Sequence, residues 1–208
     1  MARKRRTLLP PDERRQQLLA AATWVFARKG YRRAAISDVI ARAGVARGTF
    51  YLYFDSKEQV FLAIVEDFHR RITAALTTTG EPPRLDTTGP QALLQASFRR
   101  WLAFFAANRD AATVVLREAS SIDPRFEKGF ADLRRAAVDF FAARYRRFQE
   151  MGLVRASIRP VLMAHLLIGM FDELLNAFVL SDPDADLDSL AAQLADFEWH
   201  GIRPLERD

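Results

Sequence analysis

The residue types that most often carry catalysis are sparse and scattered in this chain. His69, His165 and His200 stand far apart and in no ligand spacing. There are no cysteines, so disulfides, thiolate metal sites and a cysteine nucleophile are excluded. No glycine-rich phosphate loop, nucleophile elbow or H-E-x-x-H motif is present. His165 and Asp172 are seven apart and share a helical face, which allows a polar cluster; a satisfied pair at a helix interface is the simpler reading. Arg117, next to Glu118, suits a ligand carboxylate or an internal acid. No metal, no cofactor and no enzymatic activity are expected.

The coherent chemistry lies elsewhere, between Ala46 and Lys57. Ala46, Arg47, Gly48 and Thr49 are small or cationic, so the start of this helix can approach another surface closely. Its free N–H groups attract phosphate. The fork of Arg47 suits the O6/N7 edge of guanine, and Thr49 suits a base or a thymine methyl. Tyr51, Tyr53 and Lys57 are placed for phosphate, where they position without reading sequence. Ser37 and Arg33 are further candidate DNA contacts, Arg33 from the loop before the preceding helix.

Two short helices must hold these groups. Ile36, Val39 and Ile40 form the stripe of the first, Phe50 and Phe54 that of the second. Gly44 sits at the bend between them, where φ > 0 is needed, and Val45 plugs the angle. Ser56-Lys57-Glu58-Gln59 matches a capping box that opens the next helix. Two short helices joined by a glycine turn are the core of a helix-turn-helix.

On these residues the chain resembles the N-terminal DNA-binding domain of the TetR family of bacterial repressors. The matching positions are Leu18, Leu19, Ala21, Ala22, Val25, Phe26, Gly30 and Tyr31, then Asp38-Val39 and Ala43-Gly44-Val45. They continue with Gly48-Thr49-Phe50-Tyr51, Tyr53-Phe54 and Ser56-Lys57-Glu58. Ala34, Ala35 and Ala46 depart from the family pattern, which favours hydroxyl residues there. The resemblance implies a homodimer and a small-molecule effector whose binding shifts the helix that carries the reading head. An acyl thioester is one effector class it implies.

Charge is distributed as such a protein requires. Residues 1–60 hold thirteen Lys/Arg against five Asp/Glu, a balance of +8; residues 61–208 hold eighteen against twenty-one, a balance of −3. The basic Arg3-Lys4-Arg5-Arg6 run opens an arm, residues 1–9, that either adds phosphate contacts or is a solvated tail. Helical periodicity continues throughout, and no strand alternation appears. The expected fold is therefore all-α: a three-helix DNA-binding domain over 1–56 and a helical ligand-binding and dimerisation domain over 57–208.

Of sixteen phenylalanines, thirteen fall in the second domain, as core rings or as the wall of a cavity. Trp101, Phe105, Phe130, Phe141 and Met170, with Arg117, are the expected ligand residues, for an apolar or aromatic compound. Two apolar helices close the chain, and their surplus surface suggests an intermolecular four-helix bundle on a twofold axis. The apolar run Val161–Leu180 contains His165, Asp172, Glu173 and Asn176, which argues against a membrane span. A cytoplasmic regulator of a double-stranded DNA operator, a repressor of a palindromic site released by ligand, is the resulting expectation. The alternative is an architectural DNA-binding protein independent of any ligand.

Overall fold

The computed structural model describes residues 9–77, 89–118 and 124–204, apart from the side chains at 76, 77, 117, 118, 124–130 and 133. Among these residues every regular element is helical. In chain order they are α1 (Pro11–Lys29), α2 (Ile36–Ala43), α3 (Arg47–Tyr51), α4 (Lys57–Thr77), α5 (Pro90–Ala107), α6 (Arg109–Thr113), α7 (Pro124–Glu150), α8 (Pro160–Leu174) and α9 (Leu187–Ile202). One π-helical turn extends α6 over Val114–Glu118, and another extends α8 over Leu175–Val179. Arg3 to Arg6, the expected arm, lie outside the described residues.

Packing divides the chain into two compact units, Met1–Arg71 with Asp110–Phe126, and Ile72–Arg109 with Glu127–Asp208. The division between these units falls inside α4. The reason is burial: Val60, Phe61, Ile64 and Phe68, all on the first half of α4, are part of the core of the first unit.

In that unit α1 starts at a proline pair with Asp12 and Glu13 beside the positive end of the helix, and stops at Gly30, whose φ is 75°. Its stripe of Leu18, Leu19, Ala22, Val25 and Phe26 is buried. Phe26 meets Tyr31 edge-on at 5.5 Å, and Tyr31 meets Phe61 at 4.9 Å, which ties α1, the loop after it and α4 into one ring cluster. Trp24 lies off the stripe, as its position predicts. The guanidiniums of Arg28 and Arg42 sit over its ring at 4.4 and 4.2 Å.

In the second unit α5 packs along α9. Leu94, Phe98, Leu102 and Phe105 of α5 are buried, as are Ala191, Leu194, Ala195 and Ile202 of α9. Val138 and Ala142 of α7 close on Ala164 and Ile168 of α8.

Candidate nucleic-acid interface and ligand cavity

The reading helix is held from behind. Gly44 ends α2 at φ 64°, ψ 33°, the left-handed conformation that glycine adopts at least cost. The Val45 amide then donates to the Ile40 carbonyl at 3.3 Å and closes the turn. Phe50 and Phe54 are buried to 0 and 1% exposure and pin α3 to the core. Positions 47, 48, 51 and 52 consequently face outward together. Arg47 lies 5.8 Å from the centre of the Tyr51 ring. Arg33, Ser37, Ala46, Arg47, Gly48 and Tyr51 are exposed, while Thr49, Tyr53 and Lys57 are half-buried.

A Cβ added to Gly48 would meet nothing within 4 Å. A glycine inside a helix costs about 1 kcal/mol relative to alanine, and no internal contact requires it here. Leu52 is the residue the sequence reading missed. It is 80% exposed on the same outward side.

Lys57 departs from expectation. Its ammonium donates to the carbonyls of Tyr31 at 2.8 Å, Ala34 at 3.0 Å and Arg32 at 3.5 Å, and lies 4.3 Å from the Tyr31 ring. An ammonium has three donors, and these carbonyls take all three. The expected phosphate contact gives way to a brace between the start of α4 and the loop that enters α2. That loop lacks a capping hydroxyl because positions 34 and 35 are alanines. Asp38 supplies the cap by accepting from the Ala35 amide at 3.0 Å, and it pairs with Lys29 at 2.7 Å. The Lys29 hydrogen bond, then that amide, hold the Asp38 carboxyl below the usual aspartate value. At α4 one half of the expected capping box forms, with Ser56 Oγ accepting from the Gln59 amide at 3.2 Å, while the Gln59 side chain accepts from the amide of Asp55, one residue before the cap, at 2.5 Å.

The second unit holds a cavity of about 100 Å³. Trp101, Phe105 and Phe141 line it with Ile72, Phe98 and Phe171. Met170 is not among its lining residues, and the side chains of Phe130 and Arg117 lie outside those described. The polar groups on the wall are Ser97, Arg144 and Asp172. Arg144 donates to Ser97 Oγ at 3.3 Å. Asp172 pairs with Arg134 at 2.9 Å, not with His165, which is exposed. Burial pushes the Asp172 carboxyl up, against the opposing effect of Arg134. Phe98 was legible in principle, since 98, 101 and 105 repeat at helical spacing on one face of α5.

The same unit exposes an apolar strip. Val161, Leu162 and Leu166 on α8, Phe178 on its π turn and Phe197 on α9 all face out, Phe197 at 70% exposure. The segment Pro160–Val179, with mean hydropathy 1.5, is long and apolar enough to cross a membrane by length and composition, and 22% of it is buried.

Residues 18–64 match the family model of bacterial regulatory proteins, tetR family. Over those residues the chain carries the DNA-binding domain of TetR-family transcriptional regulators. Like its relatives, it is a DNA-binding protein with a helix-turn-helix. It is 26% identical over 188 residues to the HTH-type transcriptional regulator YdgC of Bacillus subtilis, covering 90% of this chain and 92% of that protein. It is 22% identical to the fatty acid metabolism regulator protein of the same organism, covering 88 and 92%. The structure superposes on the transcriptional regulator FadR of Bacillus subtilis, solved in complex with stearoyl-CoA, with a TM-score of 0.73 at 20% identity, covering 90% of this chain and 99% of that one. That last likeness speaks to fold. The outward side of α3 is presented by the braces on α2 and α4.

Proposed function

We propose that this TetR-family regulator is a cytoplasmic homodimeric repressor that grips a palindromic operator and is released by a small ligand with an apolar, aromatic or acyl body. The observation that carries the DNA half is the outward side of α3: a cation, a glycine with no internal role and a tyrosine, presented on a unit whose chain segment is strongly basic. Arg47 reads a guanine edge, while Tyr51, Tyr53 and the exposed Arg33 and Ser37 meet the backbone. Two copies place two heads about 34–36 Å apart, or a small multiple of that.

The dimer reading rests on the strip of Val161, Leu162, Leu166, Phe178 and Phe197. A second copy covers it in a four-helix bundle of α8 and α9 from each protomer. Asp172 and Glu173, within the same segment, disfavour lipid as the cover. The ligand reading rests on the ring-lined cavity, and FadR, solved in complex with stearoyl-CoA, is one example of a similar fold with an acyl ligand. The cavity is also what favours a ligand-controlled repressor over an architectural binder. Ile72 of α4 lines it, and the start of α4 braces the reading head through Lys57. A ligand that displaces α4 therefore moves the head, and because both heads must engage at once, a small displacement loses most of the affinity. Regulation is by binding, with no turnover.

The experiment is selection of a duplex from a random pool, followed by titration of the selected duplex with and without stearoyl-CoA or stearate. A palindromic consensus, bound by two copies and released by one of these probes, is expected. Selection of no consensus, or binding by a single copy, overturns the repressor reading.

A further inference from the structure

Leu52 carries a consequence for specificity. It is 80% exposed, the most exposed large apolar side chain described in the reading head. It follows Tyr51 at the end of α3, where its backbone is still helical at φ −72°, ψ −18° and its amide donates to the Gly48 carbonyl at 3.2 Å. Its direction is therefore fixed by the helix. Positions 47, 48, 51 and 52 share one side, opposite the buried Phe50 and Phe54. Leu52 packs nothing of the core. Leaving so much apolar surface in water gains nothing for folding, and the next residues on its side are a cation, a glycine and a tyrosine.

We infer that Leu52 is a specificity-determining residue that reads the C5-methyl of a thymine in the operator. This rests on the reading above, that the head enters a duplex. Charge argues for DNA as the occupant: the first sixty residues carry a balance of +8, thirteen cations against five acids. The choice of thymine follows from what the major groove displays. Its base edges offer donors and acceptors that leucine cannot use, and one apolar group, the thymine methyl. Gly48, one turn earlier on the same side, leaves room for the base pair to approach, since a Cβ there would touch nothing of the protein. From Arg47 to Leu52 the helix rises about 7.5 Å, about two base steps at 3.4 Å each. The thymine is accordingly expected about two steps from the guanine read by Arg47.

The test is a cycle on the duplex selected by the wild-type chain. Each thymine is replaced in turn by deoxyuridine, which removes only the methyl, and wild type and Leu52→Ala are titrated against every duplex. One position per half-site should weaken wild-type binding by about fourfold, the worth of one buried methyl. The same replacement should leave Leu52→Ala unchanged. Melting of the variant at the wild-type temperature establishes that it folds. If every deoxyuridine costs both proteins the same, or costs neither anything, Leu52 does not read the methyl and the proposal is overturned while DNA reading stands. If the wild type selects no sequence at all, the reading of the head itself fails, and this assignment with it.

Discussion

Gly48 and Lys57 look alike in sequence, two residues of a basic recognition segment, yet their surroundings give them opposite roles. Gly48 faces open space, so Gly48→Ala removes the cost of a helical glycine and should stabilise the fold by about 0.5–1 kcal/mol. The same methyl stands between α3 and the base pairs, so operator affinity should fall. Melting and titration of one variant measure both effects; a stability gain with unchanged affinity would leave Gly48 without a role in close approach. Lys57 is held by three backbone carbonyls. Lys57→Ala should therefore weaken operator binding by loosening the loop at Tyr31–Ala34, while the dependence of log K on log salt keeps its slope. A slope reduced by about 0.9 would return Lys57 to the phosphate contacts. The sequence pattern made Lys57 legible as important but not its partners, because backbone carbonyls leave no trace in residue types. Leu52 was passed over for a related reason: its hydropathy reads as core, and only its direction shows otherwise.

Among the elements, those with a clear stripe and a clear stop were legible: α1 from its apolar repeat and Gly30, the α2–α3 bend from Gly44, α4 from its capping box. The short π turns after α6 and α8 were not, since they change hydrogen-bond registration without changing composition. Nor was the tie between α7 and α9. Glu198 stands on the buried stripe of α9 at 5% exposure, the Tyr145 hydroxyl donates to it, and its Oε2 has no hydrogen-bond partner among the described residues. A carboxylate at a stripe position was the available signal. Burial pushes the Glu198 carboxyl up, opposed by the Tyr145 hydrogen bond and by Arg144; burial, then the Glu198 charge, pushes the Tyr145 hydroxyl up as well. An acid whose folded pKa is raised binds more protons folded than unfolded. Its contribution is thus fully present below the ordinary glutamate value of 4.5 and is lost as pH rises through the folded pKa. Thermal stability of the wild type should fall across that window relative to Glu198→Gln, which cannot titrate. Parallel melting curves from pH 4 upward would contradict the assignment.

For the whole molecule, the expected all-helical fold followed from helical spacing, and Trp101, Phe105 and Phe141, named among the expected ligand residues, line one cavity. The cavity's remaining wall did not, because Ile72, Arg144 and Phe171 come from three helices distant in sequence. The proposed assembly rests on the large apolar side chains left exposed among the described residues. Phe197→Asp or Leu166→Asp, each placing a charge on the apolar strip, should give a monomer by light scattering that still melts cooperatively and has lost tight operator binding. A dimer unaffected by either change would move the interface elsewhere. The account rests above all on α3 reading sequence, and the most direct measurement compares wild type and Arg47→Ala on the selected operator and on a scrambled duplex at fixed salt. The account predicts that wild type prefers the operator by about a thousandfold or more, and that Arg47→Ala loses about 1–3 kcal/mol on the operator, with relaxed preference at one base pair. Equal affinity of the wild type for both duplexes, or equal loss on both in the variant, would contradict it.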